Sequence, residues 1–143
     1  DSKQSRGLGD VYKRQDCFHC HGGILGTDLS FKNNGLDEIP IDSGRGIVTR
    51  ETKDNFKFKV PSIRNVEYSA PYMHDGRFNT LDEVIDFYST GIHSNSPNID
   101  PLMEFASQGG VQLNPKERSE LKSFLLTLSD PDFINNTKFS NPF

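Results

Sequence analysis

Cys17-Phe18-His19-Cys20-His21 constrains this chain more than any other segment: two thiols three residues apart, followed at once by an imidazole. In a c-type haem site the thiols form thioether bonds to the porphyrin vinyl groups, and the adjacent histidine becomes the proximal ligand of the iron. The spacing is mechanical. One turn of chain separates the cysteines so that both reach one edge of the ring, while the next side chain points to the metal. The motif therefore predicts a short helical turn over residues 16–21 and one covalent haem c on Cys17 and Cys20, with His21 beneath the iron. Residues 22–55 are mostly loop, rich in Gly, Asn and Asp, and must fold over that haem.

Two other chemistries use the same residue types. A thioredoxin-like CxxC needs a long helix after it, and Gly22-Gly23 would stop one there. A zinc site would have to combine Cys17 and Cys20 with two of His19, His21, His74 and His93, because there is no second cysteine pair. With two cysteines, at most one disulfide could form.

The chain has 143 residues, enough for one domain. Its hydrophobic content of 33%, even with 12 glycines added, is slightly below that of a typical globular domain. A covalent porphyrin would supply the missing apolar mass. The formal charge of −4, with both signs scattered and no basic run, argues against a nucleic-acid or anionic-membrane partner. No stretch approaches the length of a membrane span. The chain begins at Asp1 rather than Met and is expected to be part of a longer protein. Bacteria attach haem to CxxCH outside the cytoplasm, so the expected compartment is the periplasm.

Residues 1–15 have little apolar content and read as a leader, disordered or non-native, ahead of a domain spanning 16–143. Phe56 to Val60 alternates apolar with basic and suggests a short extended piece. Pro61 then predicts one or two helical turns over 61–66. The strongest helix signal is residues 80–91: Thr80 caps, Glu83 completes a capping box, Leu81, Val84, Ile85 and Tyr88 form the stripe, and Gly91 ends it. A second helix is predicted from Pro115 to about Leu128, capped by Asn114, with Leu121, Phe124, Leu125 and Leu128 inward. A shorter one is expected from Asp100-Pro101 through Ala106. The tail is expected to lie along a surface, pinned by Phe133, Phe139 and Phe143.

CFHCH, RGIVTR at 45–50, FKVPSIRNVEYSAPYMHDGRFNTLDEVIDFY at 58–88 and LNPKERSELKSFLLTLSDPDF at 113–133 resemble the C-terminal haem domain of bacterial di-haem cytochrome c peroxidases and MauG proteins. The combination PSIRN, APYMHDG and TL is far more specific to that group than CxxCH alone. The resemblance implies an all-α, cytochrome c-like haem domain with long loops. It also implies a parent enzyme in which an N-terminal haem domain, absent here, reacts with hydrogen peroxide while this domain takes up electrons from a small redox protein and passes them on. This chain alone is not expected to sustain the full reaction. The alternative is a free mono-haem cytochrome c electron carrier.

Met73, Tyr88, His93 and Met103 compete for the second axial position. The resemblance favours Tyr88, which falls where the peroxidases carry a methionine and where MauG-like proteins carry a tyrosine. The competing reading makes Tyr88 a core residue whose hydroxyl is hydrogen-bonded. His74 reads as a structural histidine, Met103 as core and His93 as exposed. The family also holds a calcium ion between its haem domains, partly through backbone oxygens. The matching positions here are Ser69 and Pro71, but a complete site needs about six to eight oxygens. Arg50 and Arg64 are candidates for pairing with haem propionates or for surface ion pairs. In cytochrome c folds a helix before CxxCH crosses the C-terminal helix. Residues 1–15 do not look like that helix, which would leave the apolar stripe of 115–128 under-covered.

Overall fold

Thr80 and Asn114 each start a helix for reasons local to the sequence. In the computed structural model, which describes residues 17–140, the Thr80 hydroxyl accepts from the Glu83 amide while the Glu83 carboxylate accepts from the Thr80 amide, and Asn114 and Glu117 repeat the arrangement. Both capping boxes satisfy amide donors that a helix start leaves open. The elements in chain order are α1 (Cys17–His21), β1 (Phe31–Lys32), α2 (Arg45–Thr49), β2 (Phe58–Lys59), α3 (Leu81–Thr90), α4 (Pro115–Leu126) and α5 (Pro131–Ile134), with single 3₁₀ turns between them. Residues 1–15 lie outside the described residues, as does Phe143. Among the described residues no helix is long and apolar enough to cross a membrane.

Helix α3 sits between two apolar clusters. On one side Ile85 packs with Leu113 and Leu121, bordered by Val111, Phe124 and Leu125. On the other Phe87 packs with Leu36, Ile92 and Ala106, bordered by Met73, Phe78, Tyr88, Ile99 and Met103. The single stripe predicted for α3 is therefore only part of its buried surface: Leu81, Ile85, Phe87 and Ser89 are buried, while Val84 and Tyr88 are half-buried. A helix covered on two faces cannot be read as a one-sided amphipath.

The end of α3 is locked to the segment that leads into α4. Val111 donates its amide to the Tyr88 carbonyl (3.1 Å), and Gln112 donates to that of Ser89 (2.9 Å). The Ser89 side chain, fully buried, accepts from the Leu113 amide (2.9 Å) and from Arg118 Nη2 (3.0 Å). Gly110 makes this approach possible. With φ of 138°, it lies where a Cβ would come 2.5 Å from the Tyr88 carbonyl oxygen and 2.6 Å from that of Ser89.

Several local expectations are corrected. The regular structure is mostly helical, but the all-α reading omits a two-residue antiparallel ladder pairing Phe31 with Lys59 and Lys32 with Phe58. Residues 61–65 are not helical. Ile63 donates its amide to the Gly26 carbonyl across the ladder, Ser62 is tied to Leu25, and Asn65 has φ of 56°, so only the 3₁₀ turn Val66–Tyr68 forms. No α-helix follows Pro101 either. Asp100 donates its amide to the Asn33 carbonyl, its carboxylate accepts from the Leu102 amide, and the segment closes in a 3₁₀ turn, Ala106–Gln108. Helix α2 was not anticipated. In the tail, Phe133 and Phe139 are exposed and contact each other (ring centroids 4.9 Å) rather than pinning the chain to a surface.

Candidate haem site

Helix α1 is too short to hold itself, and a long-range clamp holds it instead. The loop after it runs beside residues 58–63: Val60 donates its amide to the Ser30 carbonyl (2.9 Å), and the Thr27 hydroxyl donates to the Val60 carbonyl (2.7 Å). Further along, Ile63 donates to Gly26 (3.2 Å) and the Ser62 hydroxyl to the Leu25 carbonyl (2.5 Å). The Asp28 amide returns to the Cys20 carbonyl at the end of the helix (2.8 Å). The clamp sets His21, whose Nδ1 lies 3.1 Å from the Pro61 carbonyl oxygen. A carbonyl only accepts, so this contact places a proton on Nδ1 and leaves Nε2 as the nitrogen a metal could take from a neutral ring.

The electrostatics favour an uncharged ring. Burial lowers the His21 pKa, opposed by hydrogen bonds to the Gly26 and Pro61 backbone, which favours the neutral imidazole that binds metals. Cys17 and Cys20 are half-buried thiols on one turn. Burial raises the Cys20 pKa, Lys32 opposes the rise, and Asp28 and Asp100 add to it. That burial disfavours the Cys20 thiolate in the free dithiol.

Tyr88 is half-buried on the inner face of α3, and its ring meets Phe87 edge-on (centroids 4.9 Å, 66°). Burial pushes its phenol up to about 12, a hydrogen bond from Asn34 opposes this, and Cys17 and Cys20 lie close enough to contribute. The Asn34 amide nitrogen donates to the phenol oxygen at 3.0 Å and reaches the Met73 sulfur at 3.7 Å. Two of the four sequence candidates for the distal position, Tyr88 and Met73, thus meet at one amide. Met103 packs at the border of the same apolar cluster, and His93 is exposed.

His74 is exposed and stacks on Phe58 (3.7 Å, 12°), a structural role. Ser69 and Pro71 are exposed beside the Val66–Tyr68 turn, where the Ser69 hydroxyl donates to the Val66 carbonyl. Arg50 and Arg64 are also exposed. Among the described residues no three or more His, Cys, Asp or Glu side chains converge as metal ligands, so the zinc reading lacks a donor set. Two site contributors escaped the sequence reading. Pro61 contributes through its carbonyl, which no sequence pattern reports, and Asn34 sits in an Asn-Asn-Gly run that signals only a turn.

The residues present fit a c-type haem. Two thiols lie on one turn, a neutral imidazole follows with its outer nitrogen engaged, and a largely apolar cluster borders a tyrosine oxygen. The fold is that of a cytochrome c-like domain, and the residues at this site suit it.

No family model matches the chain. A cytochrome-c peroxidase of Pseudomonas sp. (strain SCT) is 29% identical over 92% of this chain and 41% of its own length. The methylamine utilisation protein MauG of Methylorubrum extorquens is 33% identical over 86% of this chain and 33% of its own. The crystal structure of a MauG-like protein associated with microbial copper homeostasis superimposes with a TM-score of 0.78 at 32% identity, covering 97% of this chain and 50% of that one. The chain belongs to the family of bacterial di-haem cytochrome c peroxidases and MauG proteins. It spans about two fifths of the length of curated relatives such as the Pseudomonas peroxidase and a cytochrome-c peroxidase of Denitromonas iodatirespirans.

Proposed function

We propose that residues 16–143 form the C-terminal, electron-transfer haem domain of a periplasmic di-haem oxidoreductase of the peroxidase or MauG type. The observation that carries this reading is the His21 Nδ1 contact with the Pro61 carbonyl beside the paired thiols, which lie close enough to Tyr88 to act on its phenol. Cys17 and Cys20 would tether a haem c through thioether bonds, and His21 Nε2 and the Tyr88 oxygen are the protein atoms that would hold its iron. A haem so held supplies one-electron chemistry at iron.

The chain's own residues set the character of that site. The Pro61 carbonyl fixes the ring orientation of His21 and raises its basicity as a donor. An oxygen ligand from Tyr88 favours ferric iron, where a thioether would favour ferrous iron. The apolar cluster limits water at the phenol. By this reading the Tyr88 oxygen would suit a haem held here to storing oxidising equivalents rather than to serving as a high-potential relay. A second haem domain, N-terminal in the parent protein, reacts with hydrogen peroxide, and a small redox protein supplies electrons. Ser69 and Pro71 contribute backbone oxygens to a calcium site that the other domain completes.

The test is expression of the full gene with haem-attachment machinery in a periplasm. Cys17→Ser with Cys20→Ser is expected to abolish haem that survives acid-acetone extraction, and Tyr88→Phe to alter the ferric spectrum. A gene encoding a single CxxCH behind a signal peptide would replace the di-haem reading with that of a free mono-haem carrier.

A further inference from the structure

Asn34 touches two of the four side chains that compete for the distal position, Tyr88 and Met73, and the frame behind it leaves it little freedom. Its neighbour Asn33 is buried, donating to the Ser96 hydroxyl (3.0 Å) and the Pro97 carbonyl (2.8 Å) while accepting from the Gly35 amide (2.9 Å). The Asn33 carbonyl accepts from the Asp100 amide (2.9 Å), and the Gly35 carbonyl from the His93 amide (2.9 Å). Gly35 has φ of 72° and is packed so closely that a Cβ would come 2.9 Å from both Ile92 and Ile99 side chains. The three-residue turn is thus pinned from both sides, and Asn34 projects from it toward Tyr88 and Met73.

The amide carries two N–H groups, one for each contact. At 3.0 Å the bond to the phenol oxygen is well formed, and that oxygen keeps a lone pair for a second partner. At 3.7 Å the contact to the thioether is weaker, but it occupies the sulfur of the competing ligand. We propose that Asn34 is a positioning residue that selects the distal ligand, holding the Tyr88 oxygen for the iron while keeping Met73 aside. This inference rests on the reading of Tyr88 as a ligand.

The experiment compares the haem-loaded protein with Asn34→Leu, Asn34→Asp, Tyr88→Phe and Asn34→Leu/Met73→Leu, reading ferric and ferrous absorption, electron paramagnetic resonance and reduction potential. Asn34→Asp keeps the shape and removes both N–H donors, so it answers the question even where leucine disturbs the turn. Both Asn34 variants are expected to lose part of the tyrosine-type ferric signal and gain a methionine-type one. The preference for ferrous iron should rise at least tenfold, which is about 59 mV for a one-electron couple. Adding Met73→Leu should remove the methionine-type population. If Tyr88→Phe alters the ferric signal while both Asn34 variants keep the wild-type signal and potential, the selection role is overturned and the ligand assignment stands. If Tyr88→Phe changes nothing, the ligand assignment fails and the selection role with it.

Discussion

Replacing Ser89 with alanine removes one oxygen from the most enclosed point in the described structure, and its cost follows from what that oxygen accepts. The side chain is fully buried, and its two donors are the Leu113 amide and Arg118 Nη2. Leu113 is itself buried, so its amide has no route to water once the hydroxyl is gone; an unsatisfied buried donor costs about 1–3 kcal/mol. Arg118 loses less. Its side chain is a third exposed, Nε still donates to the Leu113 carbonyl and Nη1 still pairs with Asp86, so about 1 kcal/mol is the appropriate share. The void is the size of one oxygen and adds little. The expected destabilisation is about 2–4 kcal/mol, or a fall in Tm of about 6–12 °C for a chain of this length.

The assay is urea unfolding of haem-loaded wild type and variant, followed by far-ultraviolet circular dichroism, with the midpoint falling at unchanged slope. Pairing Ser89→Ala with Arg118→Met in a double-mutant cycle separates the two donors. The haem spectrum should not change, because the hydroxyl bonds to the α4 side of the helix and not to Asn34. A loss below about 0.5 kcal/mol would refute the view that this oxygen joins α3 to α4, since such a loss is what an ordinary surface substitution gives.

Gly110→Ala should destabilise by at least about 2 kcal/mol in the same unfolding assay, because the added methyl meets two carbonyl oxygens of α3 and the backbone is left-handed there. His21→Gly should abolish the low-spin spectrum while leaving the thioether-bound haem in place, and added imidazole should restore the spectrum; a variant spectrum like wild type would remove His21 as ligand. Glu83 should contribute acid-sensitive stability. Hydrogen bonds from the Asn79 backbone, then from the Thr80 side chain and backbone, hold its pKa below the usual glutamate range. Its contribution is therefore complete above about pH 4.3 and is lost as the pH falls through the lower folded value. The stability gap between wild type and Glu83→Gln should narrow over that acid window; a gap that stays constant down to pH 2 would rule out the charged cap.

What could be read from the sequence was what is decided within a few residues. Thr80 with Glu83 and Asn114 with Glu117 start α3 and α4 through bonds spanning three residues, and Gly22 follows the last residue of α1. The CxxCH spacing likewise carries its chemistry with it. Residues 61–65 defeat local reading because their partners lie near Gly26, about forty positions earlier, and those partners impose an extended path on a segment whose proline suggests a helix. Asn34 is a stronger case. Its significance lies in Tyr88, 54 positions away, and in Asn33 and Gly35, whose constraints come from residues 92–100.

The two proposed iron ligands rest on unequal supports. His21 is held by a clamp of loop against loop whose bonds from Ser62 and to Pro61 are exposed to solvent, so water competes for them. Tyr88 sits on a helix enclosed by two apolar clusters and sealed at its end by residues 110–113. Local opening begins where backbone bonds are exposed and apolar contacts are few, which is the clamp rather than the helix. On the histidine side, however, Cys17 and Cys20 would tether the haem covalently, so an opened clamp could close again on the same group. On the tyrosine side no covalent tether exists, and ligand identity depends on placement alone. If Tyr88 is the second ligand, the ligand without a tether is the one held by the two-sided burial of α3 and by the pinned turn that carries Asn34.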